Sequence, residues 1–158
     1  MGARTERRSD DKTVATNRKA RHDFAIVETI ECGIQLTGTE VKSLRLGQAS
    51  LVDCYARLRD GELWLEGLHI PAYEQGDKRT HQPMRPRKLL LHRRQIGELA
   101  RDVTEKGLAL VPLQLYFAHG MAKVELAVAR GKRQHEKRQA IAKRDAQREV
   151  ERELGRRR

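Results

Sequence analysis

Leu51-Val52-Asp53-Cys54-Tyr55-Ala56-Arg57-Leu58-Arg59-Asp60-Gly61-Glu62-Leu63-Trp64-Leu65-Glu66-Gly67-Leu68-His69-Ile70 is the stretch that decides the fold. Two strand-like runs, 51–59 and 62–70, flank Asp60-Gly61, a dipeptide whose positive φ angles suit a two-residue hairpin turn. Working upstream, Phe24-Ala25-Ile26-Val27-Glu28-Thr29-Ile30-Glu31 is rich in β-branched residues and one strand long. Cys32-Gly33 reads as a turn, after which 34–36 resumes the strand. A short helix is predicted over 39–46, with Thr39 as cap and Gly47 at the stop. Downstream, 71–87 carries three prolines and many basic side chains and reads as an exposed loop. Ile96, Leu99 and Val103 then recur at helical spacing, predicting a helix over 92–106 that ends at Gly107. Strands 108–117 and 121–129 follow, joined by Ala118-His119-Gly120, with Pro112 marking an edge or a bulge. About six strands with short helices between them predict a mainly β fold, a small antiparallel OB-like barrel.

The chain has 158 residues, one domain's worth, with 33 lysines and arginines against 22 acidic residues, a net charge of +11. Such an imbalance points to a polyanionic partner, nucleic acid first. The excess is uneven. Residues 1–23 carry seven basic and four acidic side chains, 24–130 fifteen and thirteen, and 131–158 eleven and five. All six aromatic residues fall in 24–130. That segment is therefore the predicted folding unit, between a basic N-terminal arm (1–23) and a basic C-terminal tail (131–158). The tail has only Ile141, Val150 and Leu154 as large aliphatics. It is predicted to be disordered or a solvated helix when free. No apolar run approaches a membrane span and the first twenty residues are polar, so a cytoplasmic, monomeric protein with no membrane association is expected. Cys32 and Cys54 are too few for a disulfide framework.

No phosphate-binding loop, dinucleotide fingerprint or zinc-ligand spacing occurs among the glycines, cysteines and the six histidines, so no cofactor and no metal are expected. One enzymatic reading stands: metal-free RNA cleavage with His22 and His119 as general acid and base and Lys123 stabilising the phosphorane. A basic ribosome-associated RNA-binding protein without further preference is another reading. Aromatics make up only 4% of the chain and lie mostly in predicted strands. Stacking on single strands is therefore less favoured than recognition of a folded RNA by shape, phosphate and 2′-hydroxyl contacts. Asn17, Arg18, Lys19, Arg21 and His22 read as an arm laid on RNA backbone. Arg85, Arg87, Lys88, Arg93 and Arg94 read as a basic ridge along one sheet edge.

These residues carry a resemblance to a known family. Asn17-Arg18-Lys19-Ala20-Arg21-His22, Gly38-Thr39-Glu40-Val41-Lys42-Ser43-Leu44-Arg45-Leu46-Gly47, Arg87-Lys88-Leu89-Leu90-Leu91-His92 and Gly131-Lys132-Arg133-Gln134-His135-Glu136-Lys137-Arg138 resemble the signatures of the SsrA-binding proteins. The resemblance implies an OB-like barrel that is not an enzyme. It implies partners: the tRNA-like domain of tmRNA, the elongation factor carrying alanyl-tmRNA, and the small-subunit decoding centre and mRNA channel of stalled ribosomes. By matching position it puts Glu31, Leu90 and His92 against the tRNA-like domain. Lys42 and Arg45 come within its helix motif and Lys88 within its strand motif, and both motifs join the RNA-binding set. His92 stands where the family has asparagine, and its charge varies with pH. Gly131, Lys132, His135, Glu136, Lys137 and Arg138 fall on tail positions that engage the decoding centre, with Glu136 replacing aspartate.

The tail's own sequence fits that implication. Residues 139–154 are helix-tolerant except the shorter Asp145, while Arg144, Arg148 and Arg152 set like charges at i, i+4, a repulsion that ribosomal phosphate would convert to attraction.

Overall fold

The structure, a computed structural model, describes residues 12–73, 80–132 and 134–156, with backbone alone at 134–143 and at 156. Its elements are β1 (Thr13–Thr16), α1 (Arg18–Asp23), β2 (Phe24–Ile34), α2 (Gly38–Arg45), β3 (Tyr55–Arg59) and β4 (Glu62–Glu66). They continue with β5 (Arg87–Leu90), α3 (Arg93–Lys106), β6 (Ala109–Ala118), β7 (Met121–Gly131) and α4 (Gln134–Arg156). The strands form one sheet in the order β1-β6-β3-β4-β5-β2-β7, with β7 also paired to β6, and every pairing is antiparallel. β6 gives one edge to β7 and shares the other, Leu110 pairing with β3 and Gln114 to Tyr116 with β1.

Turn chemistry sets the two hairpins. Asp60 and Gly61 both take positive φ, 52° and 74°, and fix the pairing of Arg59 with Glu62. His119 and Gly120 repeat the device at 53° and 74°, pairing Ala118 with Met121. Two successive left-handed residues match the twist of the flanking strands, so each hairpin register follows locally. Gly107 closes α3 at φ 64°, as its place after the last apolar residue of the helix requires.

Two bulges decide which side chains face the core. In β6 the register shifts between Pro112 and Gln114. Val111 and Leu113 thus pack outward in a small cluster with Ala20 and Ala127, while Leu115 and Phe117 point into the main core. In β2 the shift lies between Ile26 and Glu28. Phe24 and Ile26 join the outer cluster, and Ile30, Cys32 and Ile34 turn inward. A bulge adds one residue and so inverts the two-residue alternation beyond it. The main core is closed by Leu44 of α2 and Leu99 of α3, over Leu63, Leu65, Leu89, Leu115, Val124 and Leu126.

Several sequence expectations need correction. Cys32-Gly33 is no turn: β2 runs unbroken for 11 residues, held by the long ladder to β7. The folded body begins before Phe24, because β1 pairs with β6 and α1 packs on the sheet. At the other end Gly131 still pairs with Phe24, and the Lys132 amide donates to the Asp23 carbonyl at 3.0 Å. The cap of α2 is Thr37 rather than Thr39. The basic ridge dissolves at its centre. Arg87 is completely buried, donates to Glu40 at 2.6 Å and to the carbonyls of Leu68 and Pro83, and Arg85 also donates to Glu40.

Glu40 is the knot of that cluster. Fully buried, its carboxylate accepts from the Thr37 amide and hydroxyl and from Arg85 and Arg87. Burial alone would raise its pKa, but these donors outweigh burial and hold it below the usual carboxylate range.

Candidate nucleic-acid interface

α1 covers one part of the outer face of β2, β7 and β6 and leaves the adjoining part open. Its N-cap Asn17 makes this seating. The side-chain oxygen accepts from the Ala20 amide at 3.2 Å, the side-chain nitrogen donates to the Pro112 carbonyl at 3.0 Å, and the backbone amide donates to the Leu113 carbonyl at 2.7 Å. Asn17 is therefore a staple between helix and bulge and leaves the set of RNA contacts. Arg18, Lys19, Arg21 and His22 of the same helix are exposed. Lys19 reaches Asp53 at 3.9 Å, and His22 Nδ1 lies 3.1 Å from Asp23 Oδ1.

Beyond α1, the bulges bring outward a row of polar side chains from three strands. Glu31 lies opposite Glu125 across β2 and β7, Gln114 lies opposite Glu125 across β7 and β6, and Lys123 pairs with both Gly33 and Tyr116. The Tyr116 hydroxyl donates to Glu31 Oε2, and the Gln114 amide donates to Glu125 Oε2. Burial, and then the Glu31 carboxylate, push the Tyr116 pKa well above its ordinary value. The phenol thus stays protonated and donating at neutral pH. On the other edge of β2, Gly33 pairs with Leu90, whose side chain is 48% exposed. A Cβ on Gly33 would meet the Leu90 Cβ at 3.2 Å, so the missing side chain allows the close approach. His92 follows as the exposed N-cap of α3, its amide donating to Gln95 Oε1 at 3.1 Å.

Glu31 and Leu90, 59 positions apart in sequence, thus share one open surface with His92 at its margin. Lys88 faces outward on the same strand as Leu90, with its ammonium 3.5 Å from Glu62. Lys42 and Arg45 sit on α2, exposed, over the rings of Tyr73 at 5.6 Å and Phe117 at 5.2 Å. Gly131 and Lys132 end β7 and its link to α4. The side chains of His135, Glu136, Lys137 and Arg138 lie outside the described residues. Where they are described, at 144–155, the side chains of α4 are exposed. His22 of α1 and Arg144, Asp145 and Arg148 of α4 line one surface hollow.

Sequence reading missed Gln114, Glu125 and Tyr116. The signal was the bulge at Pro112, which moves residues 114 and 116 to the outer face. The ribonuclease pair fails on geometry. His22 precedes Phe24, which pairs with Gly131 at one end of β7, and His119 precedes Met121 at the other end. At about 3.3 Å per residue that separation is roughly 30 Å. An acid and a base serving one phosphate must both lie within hydrogen-bond reach of it. Cys32 and Cys54 are buried and unpaired, and burial pushes both thiols up to about 12, so neither is a ready nucleophile. Among the described residues no group of three His, Cys, Asp or Glu could hold a metal ion. No described helix is long and apolar enough to cross a membrane.

An open strand face of acceptors and one lysine, bordered by a cationic helix on a strongly basic chain, marks a mainly β protein whose candidate interface is this face and helix. The chain matches the SmpB protein family over residues 14–156. The SsrA-binding protein of Acidothermus cellulolyticus is 61% identical over 151 residues, 96% of this chain and 95% of its own length. That of Mycobacterium leprae is 61% identical over 150 residues, covering 95% and 94%. A solved chain from a structure described as "tmRNA-SmpB: a journey to the center of the bacterial ribosome" superimposes with a TM-score of 0.64 at 50% identity, over 80% of this chain and 92% of that one. The chain belongs to the SmpB family of SsrA-binding proteins.

Proposed function

We propose that this protein is an RNA-binding adaptor of trans-translation in the bacterial cytoplasm, without enzymatic activity of its own. Its body binds the tRNA-like domain of tmRNA. It accompanies alanyl-tmRNA and its elongation factor to ribosomes stalled without a stop codon, where the tail occupies the decoding centre and mRNA channel. Family membership supports the reading, and one observation carries it: Glu31 and Leu90, from distant parts of the chain, lie together on an open sheet face beside the cations of α1. Phosphate contacts from Arg18, Lys19, Arg21 and His22 would hold the RNA, and the strand face would test its identity. The body is an OB-like barrel; the ladder β6-β3-β4-β5-β2-β7 returning to β6 supports this.

For the tail, the supporting features are length and charge. The 23 residues of α4 extend about 35 Å at 1.5 Å per residue. Arg144, Arg148 and Arg152 recur at i, i+4 on its exposed surface. Gly131, Lys132, His135, Glu136, Lys137 and Arg138 would engage the decoding centre at the helix root.

Competition between tmRNA and bulk tRNA for the full-length protein tests the reading. Preference for tmRNA is expected; equal affinity would instead support a general basic ribosome-associated protein. Deleting the residues after Arg130 should leave tmRNA affinity within a few-fold while abolishing tagging of stalled chains. A large affinity loss would overturn this division between body and tail.

A further inference from the structure

The tail helix meets the body at a point of like charge. One surface hollow of about 220 Å³ is lined by His22 of α1 and by Arg144, Asp145 and Arg148 of α4. The same α1 carries Arg18, Lys19 and Arg21, all exposed. Residues 144 and 148 lie one turn apart and share a helix face, so α4 turns two guanidinium groups toward a helix that is itself cationic. Like charges brought together cost energy unless an anion lies between them. Among the described residues neither guanidinium is bridged to a carboxylate. The two arginines, less the one carboxylate of Asp145, leave the lining of the hollow with a net single positive charge.

The chemistry of the four groups selects the anion. Guanidinium groups are planar forks matched to phosphate oxygens. On His22, Nδ1 lies 3.1 Å from Asp23 Oδ1, which leaves Nε2 for the hollow. One phosphodiester carries the single negative charge that the lining lacks. Asp145 is the group that a bare anion disfavours, since a carboxylate repels phosphate and only accepts hydrogen bonds. A ribose 2′-hydroxyl stands beside the phosphate in RNA and donates, which gives Asp145 a partner. Free phosphate and DNA offer no such neighbouring hydroxyl.

Resting on the RNA-binding function proposed above, we propose that α1 and α4 together form a site for one ribose-phosphate unit of RNA. His22, Arg144 and Arg148 hold the phosphate, and Asp145 accepts from the 2′-hydroxyl. The site is complete only when body and tail both contribute, so RNA lying on α1 fixes the direction in which α4 leaves the body.

The test places a nitroxide on the full-length protein through Val150→Cys. Val150 is 59% exposed and, two residues on from Arg148, lies on the far side of α4; the native Cys32 and Cys54 are buried and escape labelling. Adding RNA of the tRNA-like domain should lengthen the nitroxide's correlation time several-fold. In His22→Gln and in Arg148→Gln the nitroxide should keep its RNA-free mobility, and binding should weaken about threefold, the scale of an exposed ion pair. Because both groups act on one phosphate, the double variant should bind no worse than the weaker single variant. One 2′-deoxy replacement along the RNA should weaken wild-type binding about threefold and leave Asp145→Ala unaffected. Additive losses in the double variant, or a nitroxide that RNA does not slow, would overturn the shared site. Equal slowing by pyrophosphate alone, or the absence of any 2′-deoxy effect, would overturn its assignment to the RNA backbone. If the unmodified RNA does not bind at all, the RNA-binding reading itself falls, and this site with it.

Discussion

Glu40 and Glu31 are the same side chain in opposite circumstances. Glu40 is fully buried at the start of α2 and accepts from Thr37, Arg85 and Arg87, all within the chain. Glu31 is exposed on β2 and accepts from Tyr116. The first spends its acceptor capacity on the fold, tying α2 to the segment leading into β5. The second is the carboxylate that the proposed function assigns to RNA. What separates the structural carboxylate from the one proposed for recognition is the set of donors brought to it by distant segments.

The largest effect should come from breaking the buried member. Glu40→Gln leaves the Arg87 charge without its counter-ion and should cost about 3–5 kcal/mol in chemical denaturation. A loss under about 1 kcal/mol would erase the contrast. The same pair gives a pH signature. Because the Glu40 carboxyl is held below the usual range in the folded protein, its contribution is complete above the unfolded value of about 4.3. It is lost as the pH falls through the lower folded value. Stability curves should show the wild type losing ground to Glu40→Gln on acidification.

Glu31→Ala sharpens the comparison from the other side. Affinity for the tRNA-like domain should fall about tenfold, the scale of one lost hydrogen bond to a charged group, while unfolding free energy stays within about 0.5 kcal/mol, as for an ordinary surface change. Asn17→Ala should behave as a weakened fold rather than a weakened site. The lost cap should cost about 1 kcal/mol, and RNA affinity should be unchanged at temperatures where the variant is folded.

The hairpins at Asp60-Gly61 and His119-Gly120 and the cap at Gly107 were legible in sequence because their geometry is local. Pro112 announced a bulge but not its consequence, the outward turn of Gln114 and Tyr116. Asn17 and Arg87 were misread for one reason. In a chain this basic, a polar residue among arginines and lysines reads as solvated, and charged residues are almost never fully buried unless paired. The partners that bury them, the Pro112 carbonyl and Glu40, lie 95 and 47 positions away. β1 has four residues and gains meaning only from β6, beside which it lies. Cys32-Gly33 resembled a turn because the register that keeps β2 straight belongs to β7. Glu31, Leu90 and His92 came from family resemblance; their meeting on one face came from the sheet.

The most direct test of the account is to measure, on one preparation each of wild type and Glu31→Ala, both affinity for the tRNA-like domain in competition with bulk tRNA and free energy of unfolding. The account predicts that the preference for the tRNA-like domain collapses while stability holds. An undiminished preference, or an affinity loss that merely tracks unfolding, would contradict it.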